Sequence, residues 1–271
     1  MQNTRYDADR WLLPDRRAAV EWCRERNRHG IKGVLDVLGK YSLDAGQVDR
    51  MSRAVVSTIG DIERNSINAS VSVKLSTIGA AYDRDMCRRK ALNICNAGAR
   101  RRRGIELDME GKSLVGFTIH TAIECLGEGT PVTLTLQAYL DRTPADVEKA
   151  IQRGLRVRLV KGTYLGDVSD FSEVARRLKE SVERYSQAGL PFCLGTHDPQ
   201  IIAWARELQI DRRLLEFGFL KGLADQTMLA LASEGRQVAE YMPFGREGEA
   251  YVLRRTAYLR MLAGIGRAPA P

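Results

Sequence analysis

What most constrains this chain is a repeated alternation. A short run rich in Val, Ile, Leu and Thr is followed by a charged stretch of helical period, and the pattern recurs along the sequence. Eight such runs stand at residues 30–38, 67–75, 104–110, 132–139, 156–161, 191–197, 214–220 and 237–243. Between them, segments such as 143–153 and 173–188 carry apolar residues three and four apart. Thr143 before Pro144 and Ser172 before Glu173 are expected to start helices, and Gly154 and Gly189 to stop them. The runs recur at the spacing of one βα unit, which implies parallel strands joined by crossover helices. Eight units in 271 residues predict an α/β chain closed into a (β/α)8 barrel of TIM type. An open doubly wound sheet would carry a Gly-rich first turn, and no G-x-G-x-x-G follows the first strand. Residues 1–29 are expected to form an N-terminal helical cap, with Trp11, Leu12, Val20 and Trp22 covering one barrel face. No Pro/Gly/Ser-rich linker interrupts the chain, so 1–271 reads as a single domain.

The formal net charge of +8 invites a polyanionic partner. Its densest cluster, four arginines at 100–103, reads instead as a solvated helix end beside the negative pole of the dipole, with Gly104 as the stop. No aromatic residues interleave with it and no nucleic-acid motif accompanies it, so nucleic acid is not expected as a partner. No run of about 18 apolar residues suits a membrane-spanning helix. The opening MQNTRYDADRW is charged where a secretory signal needs an apolar run. Cys23, Cys87, Cys95, Cys125 and Cys193 form no CxxC pair and read as reduced thiols of a cytoplasmic protein. His29, His120 and His197 show no metal-ligand spacing, so no metal is expected.

In a (β/α)8 barrel the chemistry is expected where strands end. Those positions carry Asp36, Lys74, Asp108, Glu110, Gln137, Tyr139, Arg158, Lys161, Tyr164, Thr196, His197, Asp198, Glu216 and Tyr241, and Arg254 and Arg255 follow in the last helix. Ionisable residues inside apolar strands cost several kcal/mol unless paired or used. Their recurrence at one end of successive strands points to a pocket. The balance of Lys74, Arg158, Lys161, Arg254 and Arg255 suits small anions such as a carboxylate or a pyrophosphate. No nucleophile–base pair of hydrolase type stands out, so the difficult chemistry is expected to come from a cofactor.

These motifs, in order, resemble the flavin-dependent proline dehydrogenases, of the monofunctional type. The matching segments are Leu35-Asp-Val-Leu-Gly39, Val71-Ser-Val-Lys-Leu75, Glu106-Leu-Asp-Met-Glu110, Leu136-Gln-Ala-Tyr-Leu140 and Val157-Arg-Leu-Val-Lys-Gly162. Gly195-Thr-His-Asp198, Glu216-Phe217, Tyr241-Met-Pro-Phe-Gly245 and Tyr251-Val-Leu-Arg-Arg255 continue the match, which covers about residues 30 to 260. The resemblance implies a distorted barrel, FAD as cofactor and oxidation of L-proline, or a closely related cyclic amino acid, to the Δ1-pyrroline-5-carboxylate-type imine by hydride transfer to flavin N5. It implies that Arg254, Arg255 and Lys74 hold the substrate carboxylate, that Asp108 supports Lys74, that Tyr241 and Tyr251 pack on the ring, and that Leu220 lines the pocket. Gln137, Arg158, Lys161, Gly162, Thr163, Tyr164, Thr196, His197 and Asp198 correspond to the cofactor side. A quinone is implied as electron acceptor, with peripheral contact to the inner face of a membrane.

Four positions depart from the family pattern. Lys40 stands where a glutamate usually pairs with the first clamp arginine, and is expected to repel Arg254 and weaken closure. Gly218 replaces a glutamine near the flavin, Tyr258 a glutamate beyond the arginine pair, and Leu165 an aromatic. A specialised member acting on a substituted or ring-altered proline is one alternative. A barrel lyase using Lys74 or Lys161 as a Schiff-base amine is another.

Overall fold

The computed structural model describes residues 10–163 and 166–267. Eight parallel strands close into a barrel in chain order: β1 (Ile31–Val37), β2 (Ala69–Val73), β3 (Ile105–Leu107), β4 (Val132–Gln137), β5 (Arg156–Val160), β6 (Phe192–Gly195), β7 (Leu215–Leu220) and β8 (Gln237–Phe244). Closure runs along β1 and β8, in register from Ile31 opposite Val238 to Val37 opposite Phe244. The helices are α1 (Arg16–Arg28), α2 (Ala45–Arg64), α3 (Arg84–Arg100), α4 (Val115–Gly127), α5 (Thr143–Gln152), α6 (Phe171–Gln187), α7 (Pro199–Glu207), α8 (Asp225–Ser233) and α9 (Glu249–Gly264). The (β/α)8 barrel expected from the alternation is therefore the fold.

Strands alternate side to side, and here the alternation is unusual for a barrel. Leu35, Val71, Leu107, Leu134, Leu159, Leu194 and Phe217 join the large apolar cluster between sheet and helices. Lys32, Ser70, Glu106, Thr133, Arg156 and Glu216 occupy the alternate positions. Residues of β1, β3, β5 and β7 can meet only across the interior, and they do so through the ion pairs Lys32–Glu106, Arg158–Glu106 and Arg156–Glu216. The layer that barrels of this kind fill with branched aliphatics is here a layer of charge.

The N-terminal segment takes an unexpected place. Leu13 forms a parallel bridge with Phe244, and its N–H donates to Pro243 O at 3.0 Å. Helix α1 then lies on the outer wall: Trp22 Nε1 and Arg26 Nε both donate to Glu240 at 2.9 Å, and Gly33 leaves room for Cys23. It fills the outer position beside β8, while α9 runs across the carboxyl end of the barrel. Trp11 and Val20 are buried and Leu12 and Trp22 half-buried, so the segment covers the wall at β1 and β8. Residues 1–9 of the expected cap lie outside the described residues.

Smaller differences have local causes. The arginine run straddles the end of α3: Arg101 caps it and pairs with Glu63, and Arg102 (φ 53), not Gly104, makes the left-handed stop. Ser172 is not the cap of α6, because the Asp170 carboxylate accepts the Glu173 N–H at 2.7 Å. Thr143 lies inside α5, its hydroxyl donating to Gln137 O instead of capping. Gly154 (φ 64) and Gly189 (φ 66) do turn the chain out of their helices.

Candidate active site

All strands but β8 are shorter than their sequence runs, and most candidate side chains stand at or just past their carboxyl ends. Lys74, one residue beyond β2, reaches inward with its Nζ 2.7 Å from Asp36, 3.1 Å from Asp108 and 2.8 Å from the Tyr241 hydroxyl. The Tyr241 hydroxyl donates to Asp108 and lies 3.2 Å from Ser72 Oγ. Burial, reinforced by Asp108 and Asp36, pushes that phenol well above its ordinary pKa, so it remains a donor. Asp108 also meets Arg158 at 3.3 Å, and Arg158 continues to Glu106. A ladder of alternating charge thus runs from the interior layer to the pocket. An unpaired carboxylate at such depth would be costly, which is why each acid has a cation.

Helix α9 brings the other wall. Arg255 is almost fully buried, donates to Lys221 O at 2.7 Å and to the Tyr251 hydroxyl, and its guanidinium sits 4.4 Å from the Tyr251 ring centroid. Tyr251, Arg254, Arg255 and Tyr258 recur at three- and four-residue spacing, so one face of α9 turns towards the barrel. Leu253, Met261 and Ile265 of the same segment remain exposed.

On the β5–β7 side, Lys161 Nζ pairs with Asp198 at 3.0 Å and lies 3.7 Å from the Phe171 ring centroid. Burial draws the Lys161 ammonium down to about 8, despite Asp198. Burial pushes the Asp198 carboxyl up, but Lys161, Arg267 and the Gln200 N–H outweigh it and hold it low. Asp198 also caps α7. His197 Nε2 accepts the Leu220 N–H at 2.9 Å, and burial with Arg255 and Lys161 nearby lowers its pKa to about 3, so the imidazole is neutral. Two buried oxygens, Gln137 Oε1 and Thr135 Oγ1, have no hydrogen-bond partner among the described residues, and both residues line the pocket.

One pocket collects Lys74, Asp108, Gln137, Arg158, Lys161, Gly162, Thr163, His197, Leu220, Tyr241, Tyr251, Arg254 and Arg255 from the sequence-derived set. Thr196 and Asp198 stand behind it, Asp198 supporting Lys161. Tyr164 and Leu165 lie outside the described residues. Glu110 is drawn away, accepting from the Ser76 backbone and hydroxyl. Lys40 is not left facing an arginine alone: it pairs with Glu247 at 2.9 Å on the β8–α9 loop. The sequence reading did not place Tyr258, Met109, Phe219 or Gly195 in the pocket. Tyr258 was legible from its spacing to Arg254 and Arg255 along α9. Glu106 was legible from its two-residue offset from Asp108 along β3.

The carboxyl end of the barrel gathers the cations Lys74, Arg254 and Arg255 in one pocket with Gln137 and Thr135, whose buried oxygens have no hydrogen-bond partner among the described residues. The family profile "Proline dehydrogenase" matches residues 19–173 and 169–257, and the chain belongs to that flavin-dependent family. "Proline dehydrogenase 1" of Bacillus subtilis is 27% identical over 267 residues, covering 94% of this chain and 87% of the relative. "Proline dehydrogenase" of Deinococcus radiodurans is 29% identical over 253 residues, covering 89% and 82%. Among solved structures, proline utilization A from Bdellovibrio bacteriovorus, inactivated by N-propargylglycine, superposes with a TM-score of 0.85 at 18% identity. That match covers 93% of this chain but only 32% of the larger protein, and it speaks for the fold. The chain is accordingly a proline dehydrogenase-type enzyme.

Proposed function

We propose that the chain, as one FAD-binding barrel, oxidises L-proline or a closely related cyclic amino acid to the Δ1-pyrroline-5-carboxylate-type imine. The observation that carries this reading is that Arg254, Arg255 and Lys74 line the same pocket as Gln137, Arg158 and Lys161. The residues fit a flavin. Gln137 Oε1 and Thr135 Oγ1 offer buried acceptors without partners among the described residues, and Gly195 and Gly218 line the same pocket without side chains. Lys161, Gly162 and Thr163 stand where a pyrophosphate would need a cation and free backbone. Thr196, His197 and Asp198 brace that side, and Tyr164 belongs to it by resemblance. FAD, when bound, supplies the hydride acceptor.

The chain's own groups do the rest. Arg254 and Arg255 bind the substrate carboxylate from α9, and Tyr251 and Leu220 close over the ring. Lys74 adds its charge, although its bonds to Asp36, Asp108 and Tyr241 mean that a direct hydrogen bond to substrate displaces one of them. Orientation of the C–H next to the ring nitrogen towards the acceptor is the main contribution. A hydride leaves that carbon, a proton leaves the nitrogen, and a C=N bond forms. Asp36 and Asp108 are already paired, so the amine proton passes to solvent. The same pairing disfavours a Schiff-base role for Lys74, whose Nζ is engaged by two carboxylates and the Tyr241 hydroxyl.

The electron acceptor we assign is a quinone, and exposed Leu253, Met261 and Ile265 on the α9 side give an apolar face for approach to a membrane carrying it. No helix among the described residues is long and apolar enough to cross a membrane. The test is anaerobic titration of the purified protein. A flavin absorption band that bleaches with L-proline is expected, at a kcat/KM above that for hydroxylated or six-membered analogues. Faster turnover of an analogue would make the chain a specialised member, and a colourless protein that fails to bind FAD would overturn the reading.

A further inference from the structure

The opposite, amino-terminal mouth of the barrel holds a second cavity of about 720 Å³. It is bounded by the first residues of the strands, among them Lys32, Arg156, Glu216 and Gln237, and by Arg102 and Arg103 at the rim. The interior ion pairs cancel one another: Lys32, Arg156 and Arg158 face Glu106, Glu216 and Asp108. The rim arginines are different. Arg101 is paired with Glu63, whereas Arg102 and Arg103 have no ion pair among the described residues. The Nε atoms of Arg103 and Arg156 are buried and lack a hydrogen-bond partner among those residues.

The local backbone presents these side chains. Arg102 takes a left-handed conformation, its N–H bonding Ala99 O at 3.0 Å, and the Arg103 N–H bonds Gly98 O at 2.9 Å. Gly98 permits the crossing, since a Cβ there would lie 2.8 Å from Arg103 O. Both arginines thus follow directly on the α3 cap and line the cavity beside the negative pole of the helix. Two planar forks without an ion pair, over a floor where Arg156 is paired with Glu216 but keeps a buried Nε–H without a partner among the described residues, suit an anion with several oxygens.

We propose that the amino-terminal mouth of the barrel binds a small dianion, a phosphate ester or a dicarboxylate, gripped by Arg102 and Arg103, with the free Nε–H of Arg156 below them. The site is separate from the carboxyl-end pocket and does not rest on the reaction assigned there. Calorimetric titration of the purified flavin-loaded protein with inorganic phosphate and, separately, succinate in dilute chloride buffer tests it. Saturable binding of one of them at a single site is expected, and which one binds identifies the source of the charge. Arg103→Gln and Arg102→Asn, the latter chosen because Asn tolerates the left-handed backbone, each weaken it about tenfold. Both variants melt with the unliganded wild-type protein, because neither arginine is ion-paired. Heat that never saturates, or an affinity unchanged in both variants, overturns the proposal. An equal loss in Arg254→Gln with none in Arg103→Gln would place the anion in the other pocket and overturn it too.

Discussion

Lys74 Nζ stands 2.7 Å from Asp36 and 3.1 Å from Asp108, so one ammonium just past β2 bridges a carboxylate of β1 and another just past β3. The arrangement ties stability to the pocket. Lys74→Met leaves Asp108 paired with Arg158 alone and takes from Asp36 its ion pair, and a loss of about 3–5 kcal/mol is expected for breaking such a cluster. Asp108→Asn, which keeps a partner for the Tyr241 hydroxyl, is expected to lose less. Urea unfolding of both variants measures the order, and a Lys74→Met protein as stable as wild type would show that the cluster is solvated.

Lys40 and Glu247 join the loop after β1 to the loop before α9, at 2.9 Å but with side chains 83% and 47% exposed. An exposed pair of this kind contributes about 0–1 kcal/mol to stability. Its effect is expected in substrate binding, because the two loops flank the helix that carries Arg254 and Arg255. Lys40→Glu and Glu247→Lys singly should raise KM for L-proline about two- to fivefold at low salt, consistent with that energy. The double reversal should restore it. If the reversed pair is no better than either single variant, the contact does not couple the loops.

Gly218 faces Cys193 across β6 and β7, and a Cβ there would lie 2.7 Å from the sulfur. The glutamine common in the family therefore cannot be installed alone. Gly218→Gln is expected to destabilise by about 1–3 kcal/mol through overpacking. Cys193→Ala should recover most of that loss when combined with it. Thermal melting of the single and double variants checks this, and independent, additive losses would remove Cys193 as the obstacle.

The barrel was legible because its signal is spread over the whole chain: eight runs at βα spacing leave few other folds. The carboxyl-end residues were legible for the same reason, as charges at one end of successive strands. What the sequence did not show was long-range pairing. The pairing of Lys32 with Glu106 has no local sequence signal, because it exists only once β1 and β3 close around one interior. Glu110 looks like a pocket residue by position, yet it turns to Ser76 because a 3-10 turn at Leu75–Ile78 offers it an N–H and a hydroxyl. Lys40 suggested repulsion because Glu247 lies some two hundred residues away in the sequence. The N-terminal helix was expected, but its place on the wall depends on where α9 goes, and α9 carries no amphipathic signal for an outer position.

His197 gives a pH dependence whose sign is fixed by its burial. In the folded chain its pKa lies at about 3, against an ordinary value of 6.5 in the unfolded chain. Between those values the unfolded chain binds a proton that the folded chain refuses, so stability falls as pH is lowered through that window and is flat above it. From pH 6.5 to 5 the loss amounts to about 2 kcal/mol at about 1.4 kcal/mol per unit. Carboxylates titrate in the same range, so the measurement is a difference. His197→Gln places an oxygen near the position of Nε2, keeps an acceptor for the Leu220 N–H and has no proton to gain. Urea unfolding at pH 7 and pH 5 should therefore cost wild type about 2 kcal/mol more than His197→Gln. Equal losses in the two proteins would mean that His197 takes up its proton in the folded barrel.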